Sequence, residues 1–183
     1  MKVSPGKIPG LLIIQPSVFE DDRGYFFESF NEKKLEEYTG PMNWVQDNEA
    51  GSAKGVFRGF HYQIPPFGQA KLVRVSRGEV LDIAVDIRPG SSHFGQVESI
   101  VLSEKNKTQF LIPEGFAHAY LVLSEYAVFN YKCNNYYAPG KEGGIHYKSI
   151  QLDTNWPIHP QELILSKKDL ELPEFGSHLP YSE

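Results

Sequence analysis

The chain has 183 residues, with 18 lysines and arginines against 23 aspartates and glutamates, and a single cysteine. A net charge of −5 gives no chain-wide basic field for nucleic acid or an anionic membrane, so any phosphate has to be bound locally. The lone cysteine excludes an intramolecular disulfide framework and no apolar run reaches membrane-spanning length, so we expect a cytoplasmic protein. The length favours one domain.

Short segments rich in β-branched and aromatic residues recur between glycines and prolines, which predicts an all-β sandwich or barrel. The predicted strands span residues 24–30, 71–76, 80–88, 97–102, 109–112, 119–123 and 127–133. One helix is predicted at about 32–39, with Asn31 as its N-cap and Gly40 as its terminator. A helical turn is predicted after Ser166, and the tail from Pro173 is expected to wrap the surface.

The segment 58–63, which reads Arg-Gly-Phe-His-Tyr-Gln, is followed by an alternating apolar and polar run that begins at Lys71. Alternation over 71–76 and 81–88, interrupted around Gly78, predicts a β-hairpin. We therefore expect His61 and Lys71 on neighbouring strands, facing one cavity. A base that titrates near neutrality beside a fixed cation suits enolate chemistry, because the base removes a carbon-bound proton and the cation stabilises the oxyanion.

Three further side chains are candidates, each with an ordinary structural alternative. His118 follows a tight turn at the mouth of the predicted barrel and either faces the same cavity or bonds to backbone. Tyr131 either packs within its strand or acts as a general acid opposite the base. Asp169 is either a solvated carboxylate near a helix end or the partner that selects the tautomer of a histidine.

Several segments, taken in order along the chain, resemble the dTDP-4-dehydrorhamnose 3,5-epimerase family. The members of that family are cofactor-independent enzymes with a cupin-like jelly roll. The resemblance covers nearly the whole chain. The segments that carry it are 19–29, 46–48, 58–63, 69–75, 85–88, 112–118, 131–132, 136–137 and 165–169.

The resemblance implies that His61 is the proton acceptor, that Asp169 orients it, and that Tyr131 is the proton donor on the opposite face of the sugar. It places Lys71 against the keto oxygen. Substrate-binding positions implied in the same way are Arg23, Phe26, Glu28, Gln46, Asp47, Asn48, Arg58, His118, Tyr137, Glu142 and Lys168. Of these, Arg23 and Glu28 match residues that reach the active site of a partner subunit, so the resemblance also implies a homodimer.

The implied reaction converts dTDP-4-dehydro-6-deoxy-D-glucose to dTDP-4-dehydro-L-rhamnose, as in dTDP-L-rhamnose biosynthesis. Hydrogens on carbons 3 and 5 are acidic because the ketone at carbon 4 delocalises the carbanion, so no redox cofactor is needed. The missing G-x-G-x-x-G fingerprint agrees with that. The alternatives are an enzyme that inverts only carbon 3 or carbon 5, a ketoisomerase, and a non-catalytic sugar-nucleotide-binding domain.

No metal site is predicted, because metal-binding cupins usually carry two histidines separated by one residue. The positions two residues from His61 are Gly59 and Gln63, which are poor ligands. We expect one cupin-like jelly-roll domain over 1–183 with one or two short helices. Residues 1–50 are expected to contribute to the dimer, about 51–150 to form the jelly-roll core, and about 151–183 to close the site.

Overall fold

Two antiparallel sheets pack face to face in the computed structural model, which describes residues 1–152 and 154–182. The all-β prediction is confirmed. Within the described residues the strands are β1 (Lys2–Pro5), β2 (Leu12–Gln15), β3 (Val18–Asp21), β4 (Gly24–Phe27), β5 (Gln46–Ala53), β6 (Phe57–Gln63), β7 (Lys71–Arg77), β8 (Glu79–Asp86), β9 (Val97–Ser103), β10 (Gln109–Ile112), β11 (Phe116–Val122), β12 (Tyr126–Cys133) and β13 (Glu142–Gly144).

The larger sheet has six strands in the order β1-β2-β10-β7-β12-β5, and the smaller has five in the order β13-β6-β11-β8-β9. Strands β3 and β4 form a separate two-stranded hairpin. Two short helices complete the regular structure, α1 (Glu32–Thr39) and α2 (Lys167–Leu170), together with 3-10 turns at Tyr147–Ser149 and Pro160–Glu162. No helix within the described residues is long and apolar enough to cross a membrane.

The main hydrophobic core lies between the two sheets, where Val73 and Phe129 of the larger sheet meet Ala84 and Phe116 of the smaller one. The outer face of the smaller sheet is also buried, because the chain after β13 packs across it through side chains such as Ile145. Strands β8 and β11 are therefore buried on both faces, which explains their nearly continuous apolar sequences.

Helix α1 covers part of the outer face of the larger sheet and confirms the prediction made from its end signals. The side chain of Asn31 accepts a hydrogen bond from the backbone N–H of Lys34 at 3.1 Å, which caps the first turn. The helix ends at Gly40, whose N–H donates to the carbonyl of Glu36 at 2.9 Å. Leu35 anchors the helix against Leu72 and neighbouring apolar side chains.

The predicted hairpin between the strands on either side of Gly78 is wrong. Strand β7 pairs with β10 and β12 in the larger sheet, whereas β8 pairs with β9 and β11 in the smaller one. Gly78 alone connects them, which is shorter than the two-residue loop of a tight hairpin. Alternation identified two real strands but carries no information about which strands they pair with. His61 and Lys71 consequently lie on opposite sheets rather than on neighbouring strands.

The predicted strand over 24–30 is too long, since β4 ends at Phe27. Phe30 instead packs edge-on against Trp44, with ring centroids 6.0 Å apart, beneath α1. The sequence pattern also failed to predict β1, β2, β3, β5 and β13. Strand β5 reads QDNEAGSA, which lacks the β-branched and aromatic residues that mark a strand, and its conformation comes from pairing with β12.

Candidate active site

A cavity of about 570 Å³ opens between the two sheets, and most of the predicted reactive residues line it. The smaller sheet contributes Arg58, His61 and His118, and the larger sheet contributes Lys71 and Tyr131. Helix α2 closes one side with Lys168 and Asp169. The structure therefore brings together all four side chains that the sequence nominated for catalysis.

An irregular register in β6 allows Arg58 and His61 to face the same cavity. Side chains three positions apart on a regular strand point to opposite faces. Here the pairing of β6 with β11 shifts between the His61–His118 pair and the Arg58–Tyr120 pair. Gly59 lies at the shift with a φ of 141°, and a β-carbon there would collide with Ala119. A glycine is thus required where the strand changes register.

His61 and Asp169 form a hydrogen-bonded pair, with Nε2 of His61 2.7 Å from Oδ1 of Asp169. The hydroxyl of Ser166 donates to the other carboxylate oxygen at 2.7 Å. Burial raises the pKa of Asp169, but the hydrogen bonds from His61 and Ser166 outweigh it and leave that pKa below its ordinary value. Asp169 is therefore a carboxylate at neutral pH, and because a carboxylate only accepts hydrogen bonds, Nε2 of His61 donates to it.

A second histidine–aspartate pair lies beside the first. Nε2 of His118 is 2.9 and 3.1 Å from the two carboxylate oxygens of Asp82, whose side chain is fully buried. Burial lowers the pKa of His118, and the nearby Lys71 and His61 lower it further, although Asp82 opposes them. Sequence reasoning missed Asp82. The available signal was a carboxylate in the middle of the apolar run of β8.

Lys71 and Tyr131 face the histidines from the larger sheet. Burial lowers the pKa of the Lys71 ammonium. Electrostatic interactions with Cys133, Asp82 and Glu142 oppose that effect. Burial also raises the pKa of the Tyr131 phenol, although the positive charge of Arg58 lowers it in part. Tyr131 therefore keeps its proton at neutral pH and is available as an acid.

A polar cluster beside the cavity gathers several of the expected substrate-binding residues. The ammonium of Lys168 is 2.8 Å from a carboxylate oxygen of Glu142. The backbone N–H of Tyr137 donates to the side chain of Gln46 at 3.0 Å, and Gln46 in turn donates to Asn48 at 3.0 Å. Residues distant in sequence, on β5, β13, α2 and the segment after β12, thus converge here.

Four expected binding residues lie outside both the cavity lining and the polar cluster beside it. Arg23 lies at the turn of the β3–β4 hairpin, where it bonds to Asp21, and Phe26 on the same hairpin is 70% exposed. Glu28 follows the hairpin and is paired with a lysine of α1 at 2.7 Å. Asp47 points to the outer face of the larger sheet, where it is paired with Lys132 at 2.7 Å.

The cavity has the components for moving a carbon-bound proton between faces of a substrate. An imidazole and a phenol lie on opposite sheets, and an ammonium lines the same cavity. Groups of these types can serve as base, acid and oxyanion stabiliser. Among residues 1–152 and 154–182, no group of three or more histidine, cysteine, aspartate or glutamate side chains is placed to hold a metal ion. The two cavity histidines are each bonded to a carboxylate instead.

Comparison with known proteins gives one consistent result. The sequence profile described as dTDP-4-dehydrorhamnose 3,5-epimerase matches residues 5–177. The chain is 48% identical over 176 residues to a dTDP-4-dehydrorhamnose 3,5-epimerase of Shigella flexneri, covering 96% of each chain. It is 46% identical, with a TM-score of 0.92 and coverage of 100% and 98%, to the Legionella pneumophila dTDP-6-deoxy-D-glucose-3,5-epimerase in complex with dTDP-4-keto-L-rhamnose.

A solved structure with lower sequence identity belongs to an enzyme described as a monoepimerase. The Streptomyces bikiniensis 3'-monoepimerase in complex with dTDP-quinovose is 32% identical to the chain, with a TM-score of 0.87 and coverage of 94% and 87%. Together with the sheet topology, these likenesses confirm the cupin-like fold.

Proposed function

Because the chain belongs to the dTDP-4-dehydrorhamnose 3,5-epimerase family, we propose that its cavity converts dTDP-4-dehydro-6-deoxy-D-glucose to dTDP-4-dehydro-L-rhamnose with His61 as base and Tyr131 as acid. The observation that carries this assignment is the placement of the two side chains on opposite sheets around one cavity. Inversion of a carbon requires removal of its proton from one face and delivery of a proton to the other.

Each inversion takes two proton transfers. Nδ1 of His61 takes the hydrogen from the carbon next to the ketone, and the electron pair of that C–H bond moves to the carbonyl oxygen. The Lys71 ammonium stabilises the resulting enolate oxygen. Tyr131 then gives its phenolic proton to the same carbon from the opposite face. The imidazolium and phenolate return to their starting states by proton exchange with solvent before the second carbon reacts.

We propose that the active unit is a homodimer in which the β3–β4 hairpin of one subunit completes the site of the other. The exposure of Phe26 and the position of Arg23 at the hairpin turn support this, since neither reaches the cavity of its own chain. Arg58 and the partner's Arg23 would then bind the diphosphate. In this scheme residues 1–183 form one catalytic unit, with 1–50 contributing the dimer contacts and 151–183 closing the site.

We also propose that the enzyme works in the cytoplasm and without a metal or redox cofactor. The lone cysteine, which is buried, suits a reducing compartment. The side chain of Gln63, two residues from His61, donates to the carbonyl of Phe67 at 2.9 Å and is engaged outside the cavity. The chemistry needs only an acid, a base and an oxyanion stabiliser.

Proton NMR of the substrate incubated with the protein in deuterated water tests the proposed function. We expect deuterium at carbons 3 and 5 and accumulation of the L-rhamno product. Deuterium at carbon 3 alone would favour the narrower activity of the 3'-monoepimerase relative. A wild-type protein that binds the nucleotide sugar but exchanges neither hydrogen would contradict the assignment and favour a non-catalytic binding domain.

A further inference from the structure

We propose that Lys107 is a positioning residue for the active site of the partner subunit, because it holds the β3–β4 hairpin through cation–π contacts. The proposal rests on the proposed function, in which that hairpin completes the partner's site. The Lys107 ammonium lies 3.7 Å from the ring centroid of Tyr25 and 5.9 Å from that of Phe27. An ammonium at such distances over an aromatic face is attracted by the negative charge density of the ring.

The hairpin depends on contacts of this kind because it belongs to neither sheet. Within the part of the chain that the structure describes, β3 and β4 pair only with each other. A two-stranded hairpin on its own is only marginally stable in water. The rings of Tyr25 and Phe27 stack with their centroids 6.0 Å apart, so a single ammonium reaches both of them.

The two faces of the hairpin have different surroundings. Side chains two positions apart on a strand share a face, and so do residues paired directly across two strands. Tyr25 and Phe27 therefore lie on the face that meets Lys107. Phe19 and Phe26 are paired across the hairpin and lie on the other face, where they are 65% and 70% exposed. Lys107 thus holds one face and leaves the other available to a partner.

The turn between β9 and β10 presents Lys107 in a defined position. The side-chain oxygen of Asn106 accepts from the backbone N–H groups of Ser103 and Thr108, at 3.0 Å each. The N–H of Lys107 donates to the carbonyl of Ser103 at 3.1 Å. Lys107 has a φ of 54°, in the left-handed region that favours glycine. Any advantage of lysine over glycine at this position therefore lies in its side chain.

The functional consequence concerns nucleotide binding rather than chemistry. Lys107 does not line the cavity, so it acts only through the hairpin that carries Arg23 and Phe26. A hairpin released from Lys107 has to be ordered when the ligand binds, and that cost weakens affinity. The proton transfers at His61 and Tyr131 are unaffected once the substrate is bound. Loss of Lys107 should consequently raise Kd and KM and leave kcat unchanged.

The affinity for dTDP, measured by calorimetry, tests the contact. Lys107→Met should raise Kd about two- to fivefold, the effect of an exposed cation–π contact. Lys107→Arg keeps a cation over the rings and should bind as wild type does. Lys105→Met is the matched control, because Lys105 is an exposed lysine of the same turn that lies over no ring of the described residues.

A glycine variant separates this role from a merely structural one. Lys107→Gly fits the left-handed backbone, so its free energy of unfolding should equal or exceed that of wild type. It lacks the ammonium, however, and should bind dTDP as weakly as Lys107→Met. A stable protein with reduced affinity is the expected signature. This variant also replaces Lys107→Met in every test if the latter does not fold.

Mixed dimers show on which subunit Lys107 acts. In a dimer of one His61→Ala chain and one Arg23→Ala chain, the single intact site combines the cavity of the second with the hairpin of the first. Lys107→Met added to the His61→Ala chain should therefore raise KM. The same substitution added to the Arg23→Ala chain should leave KM unchanged, because its hairpin enters the defective site.

An equal KM for the two placements would overturn the proposal. So would a Lys107→Arg protein that binds dTDP as weakly as Lys107→Met. If mixed dimers without a change at Lys107 are inactive, the shared site is contradicted and the role of Lys107 with it. An inactive wild type contradicts the proposed function, whereas the dTDP affinities of the variants still decide whether Lys107 supports the hairpin.

Discussion

Nε2 of His61 lies 2.7 Å from Oδ1 of Asp169, although 108 positions separate the two residues along the chain. The contact depends on α2, whose N-cap Ser166 holds the same carboxylate. The segment after β13 therefore does more than cover the outer face of the smaller sheet. It delivers the group that sets the tautomer of the proposed base.

Replacing Asp169 with asparagine should impair catalysis without removing the base. The amide carries no charge and can present its NH2 group to Nε2, which favours the unproductive tautomer of His61. We expect kcat to fall by about 10²-fold, the low end of what a positioned acid or base contributes, and by less than in His61→Ala. Ser166→Ala, which removes one hydrogen bond to the carboxylate, should cost less. Steady-state kinetics of the three variants measures this order, and an Asp169→Asn enzyme with wild-type kcat would contradict it.

The alkaline side of the pH profile should report Lys71. Its pKa is lowered by burial, so the ammonium loses its proton below the ordinary lysine value of about 10.4. The wild-type kcat should therefore decline below that pH. Lys71→Arg keeps its charge throughout this range and should have no such decline, whatever its residual rate. If kcat declined at the same alkaline pH in wild type and in Lys71→Arg, ionisation of Lys71 would not be the cause of the decline.

Mixing two inactive variants should restore activity if the hairpin of one subunit completes the site of the other. Arg23→Ala damages the site of the partner, and His61→Ala damages the site of its own chain. A mixed dimer then has one site with both defects and one intact site. Random reassortment should recover about a quarter of wild-type sites. The activity of the co-refolded mixture measures the recovery. If mixed dimers isolated by two affinity tags were inactive, the shared site would be contradicted.

The ion pair formed by the buried Asp86 and the partly exposed Arg88 should contribute to stability. Asp86 accepts from the Arg88 side chain at 2.6 and 2.9 Å and from Ser91 at 2.7 Å. Asp86→Ala leaves these donors without an acceptor, although Arg88 is partly exposed to water, and should lower the free energy of unfolding by about 2 kcal/mol. Because its hydrogen bonds lower the pKa of Asp86 despite burial, this stability is present above about pH 4 and lost as pH falls.

Urea denaturation of wild type and Asp86→Ala at several pH values measures both effects. The difference between the two proteins should shrink below pH 4 as Asp86 takes up a proton in wild type. A difference that stays constant from neutral to acidic pH would show that the loss comes from packing rather than from the ion pair.

Local signals predicted local structure well. The ends of α1 follow from Asn31 and Gly40, whose side-chain and backbone preferences act over a few residues. Sheet pairing depends on contacts between distant segments, so alternation around Gly78 led to a hairpin that does not form. The error left the site prediction largely intact, because the two sheets face each other and bring His61 and Lys71 to one cavity from opposite sides.

Other features of the site depend on strand pairing, which local signals do not predict. The shared orientation of Arg58 and His61 depends on a register shift that strict alternation does not anticipate. Asp82 lies in a strand buried on both faces, where its partner comes from β11. Both features are consequences of strand pairing in the smaller sheet.

The central claim is that His61 and Tyr131 act on opposite faces of the substrate, and deuterium exchange in two variants tests it most directly. His61→Ala should lose exchange and inversion together, by at least about 10²–10⁴-fold. Tyr131→Phe should still exchange, because His61 removes the proton and returns a deuteron to the same face, while inversion is lost. If Tyr131→Phe, with its fold and dTDP binding intact, loses exchange and inversion in parallel, the two-face mechanism is wrong.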